Sequence, residues 1–284
     1  MNLLKQNRAA SFVIVAMIYI LAAAVGIAAY RLLPYAWWLN LLLADVAATV
    51  LTFAFSVMLD NASVYDPYWS VQPIVILIAF AAGRELTVVR ALLLAAVLFW
   101  GVRLTDNWAY TFQGLAHQDW RYTMLKEKTG PLYPFVNFTG IHMVPTLIVY
   151  GCTLPAVYAF LHEADWNAGS ILFFAVSVGA ASMQGVADFQ MHRFREHPTD
   201  TFIRDGLWKY SRHPNYLGEL LMWWGVAGSV VSVFPQQWYL MAGALANTAL
   251  FFAVSIPMAD GRQSRKPGFE EYKHETRMLL PIKK

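Results

Sequence analysis

Three stretches in the last third of the chain gather residue types that suit a phosphorylated, amide-bearing ligand. In SMQGVADFQMHRFREHP, residues 182–198, spacings of four and seven put Gln184, Asp188 and Arg195 on one stripe of a helix, with Gln190 and Arg193 close by. In GLWKYSRHPNYLGELLMWWG, residues 206–225, Pro214 suits the first turn of a helix, where an amide hydrogen would be unpaired anyway. Asn215 and Glu219 then share a face one turn apart, with Arg212 and Tyr216 beside them. The tail adds Arg262, Arg265, Lys266, Tyr272 and Arg277. Guanidinium forks for phosphate, amide and carboxylate groups for ribose or carboxamide, and rings for stacking are what a nucleotide needs. Contact with anionic lipid explains the same basic residues equally well. Neither GxGxxG after a strand nor GxxxxGK[ST] occurs, so any such ligand is held by helices. His192 and His197 lie five apart ahead of the helix-breaking Pro198 and make no metal pair. His213, in a basic loop, suits a phosphate or lipid contact better than acid–base work. No metal site is expected.

The elements that must hold these residues follow from composition. Of 284 residues 58% are hydrophobic and 14% charged, against about 25% charged in a soluble domain. Spanning a hydrocarbon layer takes about 20 apolar residues as a helix. Such runs recur near 12–30, 37–59, 68–82, 86–104, 138–160, 169–190, 216–234 and 238–257. An all-α, polytopic bundle of seven to eight spans is expected, the uncertain span being the third, which is short and holds Gln72 and Pro73. The first run is too long for a cleaved signal and reads as an anchor. Trp37, Trp38, Trp69, Trp108, Trp166, Trp208 and Trp238 fall near run ends, as headgroup-level indoles do. With eight spans, 17 of the 21 basic residues lie on the side of both termini, which the positive-inside rule makes the cytoplasm. Asp119, Arg121 and Tyr122 lie in an amphipathic cytoplasmic stretch that either caps a cleft or rests on the membrane. No linker or repeat divides the chain, so residues 1–284 read as a single domain. Cys152 alone forms no intrachain disulfide, and a balance of 21 basic to 18 acidic residues excludes a nucleic-acid binder.

Within the runs lie Asp45, Gln72, Arg90, Arg103, Gln184, Asp188, Glu219 and Asn247. Polar groups at that depth cost several kcal/mol unless paired. Asp45 and Asn247 suit hydrogen bonds between helices, and Arg90, a turn from its run end, suits snorkelling to the headgroups.

Ser211-Arg-His-Pro-Asn-Tyr-Leu-Gly-Glu219 resembles the signature of the steroid 5-alpha-reductase family of membrane enzymes, and most closely its bacterial branch. Asp66-Pro-Tyr-Trp69, Trp100-Gly-Val-Arg-Leu104, Asp119-Trp-Arg-Tyr122, Ala187-Asp-Phe-Gln190, Gly206-Leu-Trp-Lys-Tyr210 and the tail from Tyr272 to Pro281 resemble it in the same order, from about residue 60 onward. The resemblance implies an NADPH-dependent reductase of an apolar enone lipid drawn from the bilayer of a bacterial inner membrane. It implies that residues 180–284 hold the cofactor through Gln184, Asp188, Arg195, Arg212, Asn215, Tyr216 and Glu219, with Arg265, Tyr272 and Arg277 as looser matches. Residues 1–110 are then the substrate side. The family's glutamate and tyrosine that hold the ketone oxygen have Asp66 and Trp100 as nearest equivalents; since Trp100 lacks a hydroxyl, Tyr65, Tyr68 or Tyr110 is the replacement. Asp66 with Tyr65 or Tyr68 is expected to polarise the carbonyl, although Asp-Pro also suits a plain turn. The Arg-His-Pro string is similar to one in isoprenylcysteine carboxyl methyltransferases, which makes an S-adenosylmethionine-dependent lipid methyltransferase the alternative. A lipid carrier is the non-enzymatic one.

Overall fold

The computed structural model describes residues 2–163, 165–197 and 201–282. Among them the chain is helical and forms no strand; a parallel bridge joins Ser211 to Arg277. The helices are α1 Arg8–Leu32, α2 Trp37–Met58, α3 Tyr68–Ala81, α4 Val88–Thr111, α5 Trp120–Thr129, α6 Val144–Leu161, α7 Ala168–Arg195, α8 Pro214–Val233, α9 Ala242–Leu250, α10 Ile256–Gln263 and α11 Phe269–Glu275. A 3-10 turn, Ala62–Tyr65, precedes α3, and π-helical turns Asn137–Met143 and Phe251–Ser255 lead into α6 and α10. Among the described residues, eight helical stretches are long and apolar enough to cross a membrane, matching the eight runs of the sequence. The third reaches that length only because the 3-10 turn adds to the 14 residues of α3, Pro73 included.

Local signals set the ends. Asn7 accepts from the amide of Ala10 to open α1, Asn167 and Ser170 form a reciprocal capping box at α7, and Pro214 stands at the start of α8. α7 ends at Arg195; Pro198 lies outside the described residues.

The chain folds into two compact units, each drawn from separated segments. Unit one comprises Met1–Ala79 and Leu104–Leu154, and unit two Phe80–Arg103 and Pro155–Lys284. In unit one α1 packs on α2, and Tyr19, Ala22, Ala48, Tyr65 and Tyr68 form an aromatic-rich core cluster. Tyr122 of α5 is buried against Ala62 and Ile141, so this stretch is docked within unit one rather than spread on a surface.

In unit two α7 and α8 form the most extensive helix pair. Small residues permit this: a Cβ on Gly225 would lie 2.2 Å from Ser177 Oγ and 2.8 Å from the Phe173 carbonyl oxygen. Close backbone approach is how helices associate where lipid removes the hydrophobic drive. Ser177 Oγ donates across the seam to the Met222 carbonyl at 3.1 Å.

Two expectations are corrected. Arg90 does not snorkel: it is 8% exposed, and it donates to the carbonyls of Ala159, Glu85 and His162 at 3.0, 2.9 and 3.2 Å. Two of those carbonyls belong to the C-terminal end of α6, where helix acceptors lack partners of their own. Trp208 is not a headgroup marker either, being buried with its indole N–H donated to the Ala187 carbonyl at 3.1 Å. Trp38, Trp166 and Trp238 are exposed, as expected.

Candidate functional site

Unit two gathers the polar residues of its helices into a buried cluster. Trp100 and Arg103, one turn apart on α4, each serve a carboxylate. Trp100 Nε1 donates to Glu219 Oε2 at 2.8 Å, and Arg103 Nη1 lies 2.9 Å from Asp188 Oδ2. Glu219 also accepts from Gln184 Nε2 at 3.0 Å and from Trp223 Nε1 at 2.9 Å. Three N–H donors from three helices thus fix one carboxylate that is 4% exposed. Asn215 Nδ2 reaches Asp188 Oδ1 at a long 3.4 Å. Gly185 makes room for this arrangement, since a Cβ there would come within 3.0 Å of Arg103 Cδ.

Beside these satisfied groups stand unsatisfied ones. Gln184 Oε1 is a buried acceptor without a partner, and Arg103 Nε and Nη2 are buried donors without one. A native interior leaves few such atoms.

The loop and tail residues have different duties. Arg212 donates to the carbonyl of Thr276 at 2.8 Å and to Asp260 at 3.1 Å, and its backbone amide bonds Arg277 O at 2.9 Å. His213 Nε2 lies 3.0 Å from the other oxygen of Asp260, and its ring stacks on Tyr216 with centroids 5.1 Å apart. The Tyr272 hydroxyl donates to the Trp208 carbonyl, and burial pushes that phenol well above its usual range. Arg212 and Tyr272 therefore fasten the tail to the loop before α8, while Arg212 Nε is left buried without a partner. Arg195, Arg265 and Arg277 present exposed side chains. The structure brings Gln184, Asp188, Asn215 and Glu219 together as the resemblance implied, spacing having paired them only within each helix, and places Arg212, Tyr216 and Tyr272 in the neighbouring fastening.

In unit one, Asp66 stands at the end of the 3-10 turn and accepts from the Tyr122 hydroxyl at 2.6 Å. The hydroxyls of Tyr65 and Tyr68 go elsewhere: Tyr65 to Thr146 at 2.7 Å, Tyr68 to Asp45 at 3.2 Å. Their rings stack, with centroids 5.1 Å apart. Gln72 Nε2 donates to the second oxygen of Asp45 at 2.5 Å. Asp45 thus makes the interhelical hydrogen bonds expected of it, and Tyr68–Asp45 and Tyr122–Asp66 are two tyrosine–carboxylate pairs of this unit. Tyr110 is 64% exposed. Thr49 and Thr146, which sequence reasoning passed over, sit between the tyrosines; the signal for Thr49 was its place four residues after Asp45 on α2, in a stripe with Thr52 and Ser56.

Among the described residues no group of three or more histidine, cysteine or acidic side chains is disposed to hold a metal ion.

A family model described as a protein of unknown function, DUF1295, matches residues 52–276. An uncharacterized protein of Schizosaccharomyces pombe is 25% identical over 234 residues, which cover 72% of this chain and 67% of the relative. No solved structure matches the chain.

Proposed function

The chain belongs to the DUF1295 family, and from that premise we propose that it is a membrane reductase that uses NADPH to saturate the carbon–carbon double bond of an apolar enone. The observation that carries the proposal is the set of orphaned atoms beside Glu219 and Asp188. A carboxamide both donates and accepts; Gln184 Oε1 and the free N–H groups of Arg103 are the acceptor and donors that it lacks partners for elsewhere in an apolar interior. Asn215 and Asp188 flank them, and Arg195 and Arg265 offer exposed guanidinium groups for phosphate. These residues fit the cofactor that the steroid 5-alpha-reductase resemblance implies. Reduced nicotinamide, when bound, supplies the hydride.

The remaining task is to stabilise the negative charge that develops on the carbonyl oxygen. A hydroxyl aimed at that oxygen in a dry site is worth about 2.7 to 4 kcal/mol. We assign this task to the buried phenols Tyr65 and Tyr68, of which Tyr68 is tied to a carboxylate. Asp66 keeps its turn and its Tyr122 partner, so we assign it to positioning, and Asp45 takes the role first given to it.

Thermal stabilisation of the detergent-purified protein tests the reading. A ligand at 100 times its Kd adds about 2.7 kcal/mol. We expect NADPH to stabilise and S-adenosylmethionine to have no effect, and Asn215→Ala, the substitution that disturbs the fewest contacts of the cluster, to abolish the NADPH shift. Stabilisation by S-adenosylmethionine alone would instead make the protein a methyltransferase.

A further inference from the structure

Four hydroxyls and a carboxylate form an unbroken line inside unit one. Tyr65 Oη lies 2.7 Å from Thr146 Oγ1, which lies 3.0 Å from Thr49 Oγ1. Thr49 Oγ1 is 3.4 Å from Tyr68 Oη, the longest link, and Tyr68 Oη is 3.2 Å from Asp45 Oδ1. None of the five residues is more than 5% exposed.

Each hydroxyl has one hydrogen to give, so the state of one end sets the direction of the whole line. An ionised Asp45 only accepts. Tyr68 then donates to Asp45, Thr49 to Tyr68, Thr146 to Thr49 and Tyr65 to Thr146. Gln72 Nε2 already donates to Asp45 Oδ2, so a proton on Asp45 belongs on Oδ1, facing Tyr68. With it in place the line runs the other way: Asp45 donates to Tyr68, Tyr68 to Thr49, Thr49 to Thr146 and Thr146 to Tyr65. The hydrogen of Tyr65 is then turned out of the line. The ring of Tyr65 packs 4.6 Å from that of His142, whose Nδ1 lies 3.0 Å from the Asn137 carbonyl and so carries the hydrogen. His142 Nε2 is consequently an acceptor, buried and unpartnered, so the wall beside Tyr65 offers no competing donor from that ring.

We propose that this line is a proton-delivery chain, with Asp45 as its inlet and the Tyr65 hydroxyl as its outlet to an atom of a bound apolar molecule that gains negative charge. That this molecule is an enone rests on the reductase reading. In one delivery the O–H bonds of Tyr65, Thr146, Thr49, Tyr68 and Asp45 break. The acceptor gains the hydrogen of Tyr65, Tyr65 that of Thr146, Thr146 that of Thr49, Thr49 that of Tyr68, and Tyr68 that of Asp45. The chain returns to its first direction with Asp45 ionised, and a proton from water reloads it. Thr49 and Thr146 act as relays whose methyl-bearing side chains could be replaced by valine with little change of volume.

Asp45→Asn tests the chain without any substrate. The asparagine oxygen takes the Gln72 side, which leaves its amide group donating toward Tyr68 and holds the line in the reversed direction. The full-length protein, labelled with ¹³C at tyrosine Cζ, gives a Tyr65 resonance assigned by its loss in Tyr65→Phe. We expect that resonance to shift in Asp45→Asn through the line, since Asp45 bonds Tyr68 and Gln72 and Tyr65 bonds Thr146. In a Thr146→Val background Asp45→Asn should cause no shift, and Thr146→Ser, which restores the hydroxyl, should restore it. Thr49→Val cuts the same line and serves if Thr146→Val does not fold. A Tyr65 resonance identical in wild type and Asp45→Asn, or one that shifts equally with the hydroxyl removed, overturns the chain. Absence of NADPH stabilisation with the shifts intact removes the reductase reading and leaves the chain standing.

Discussion

A buried guanidinium with a carboxylate partner becomes a liability once that partner is removed. Arg103 and Asp188 have side chains only 15% and 14% exposed, and Arg103 has two further N–H groups with nothing to bond. Asp188→Ala should therefore destabilise by about 3–5 kcal/mol, because it strands the charge. Replacing both residues by leucine should cost much less, since a pair exchanged for apolar groups is near neutral. Thermal unfolding in detergent separates the two outcomes, and equal losses would show that the pair is not what matters. Glu219→Gln is a sharper probe: it sets an amide N–H against one of three N–H donors and should cost about 1–3 kcal/mol. At this scale the sequence was legible where spacing is local. Gln184 and Asp188, or Asn215 and Glu219, lie one turn apart and can be seen on one face. Trp100 and Arg103 stood in a recognisable motif, yet their partners lie 119 and 85 residues away, a distance that periodicity does not cross. The acceptors of Arg212 were out of reach for the same reason, since they belong to a tail with no periodic signal.

Among the elements, the α7–α8 pair depends on the absence of side chains along its seam. Gly225→Ala would drive a methyl group against both Ser177 Oγ and the Phe173 carbonyl, and overpacking of this kind costs about 1–3 kcal/mol. Adding Ser177→Ala removes only the first clash, so the double variant should stay less stable than wild type; full recovery would mean that the backbones separate easily. Since Glu219 on α8 and Gln184 on α7 meet across this seam, Gly225→Ala should also weaken NADPH stabilisation without touching the cluster. The eight apolar runs predicted these elements well because the hydrophobic length of a span is a property of composition alone. Arg90 and Trp208 were misplaced because run ends look alike whether a side chain turns toward lipid or toward a neighbouring helix end.

For the whole molecule, the number of crossings decides which face carries the basic loop and tail, and it turns on the third stretch. Ala62–Ala81 reaches 20 residues only by joining a 3-10 turn to an α-helix interrupted by Pro73. If it crosses, both termini share a side with most of the arginine and lysine; if it turns back, every later loop changes sides and the basic residues after α4 face outward, against the positive-inside rule. The chain is well suited to settle this, because its single cysteine, Cys152, is buried. Gln6, Glu85, Glu163 and Glu275 are exposed and lie between or beyond the spans. Changed one at a time to cysteine and treated in intact cells with a membrane-impermeant maleimide, positions 85 and 163 should label, while 6 and 275 should label only after permeabilisation. Labelling of 275 but not of 6 would mean an odd number of crossings, and would place the Arg212–Asp260 fastening and the exposed arginines on the face away from cytoplasmic NADPH, which the reductase reading does not survive.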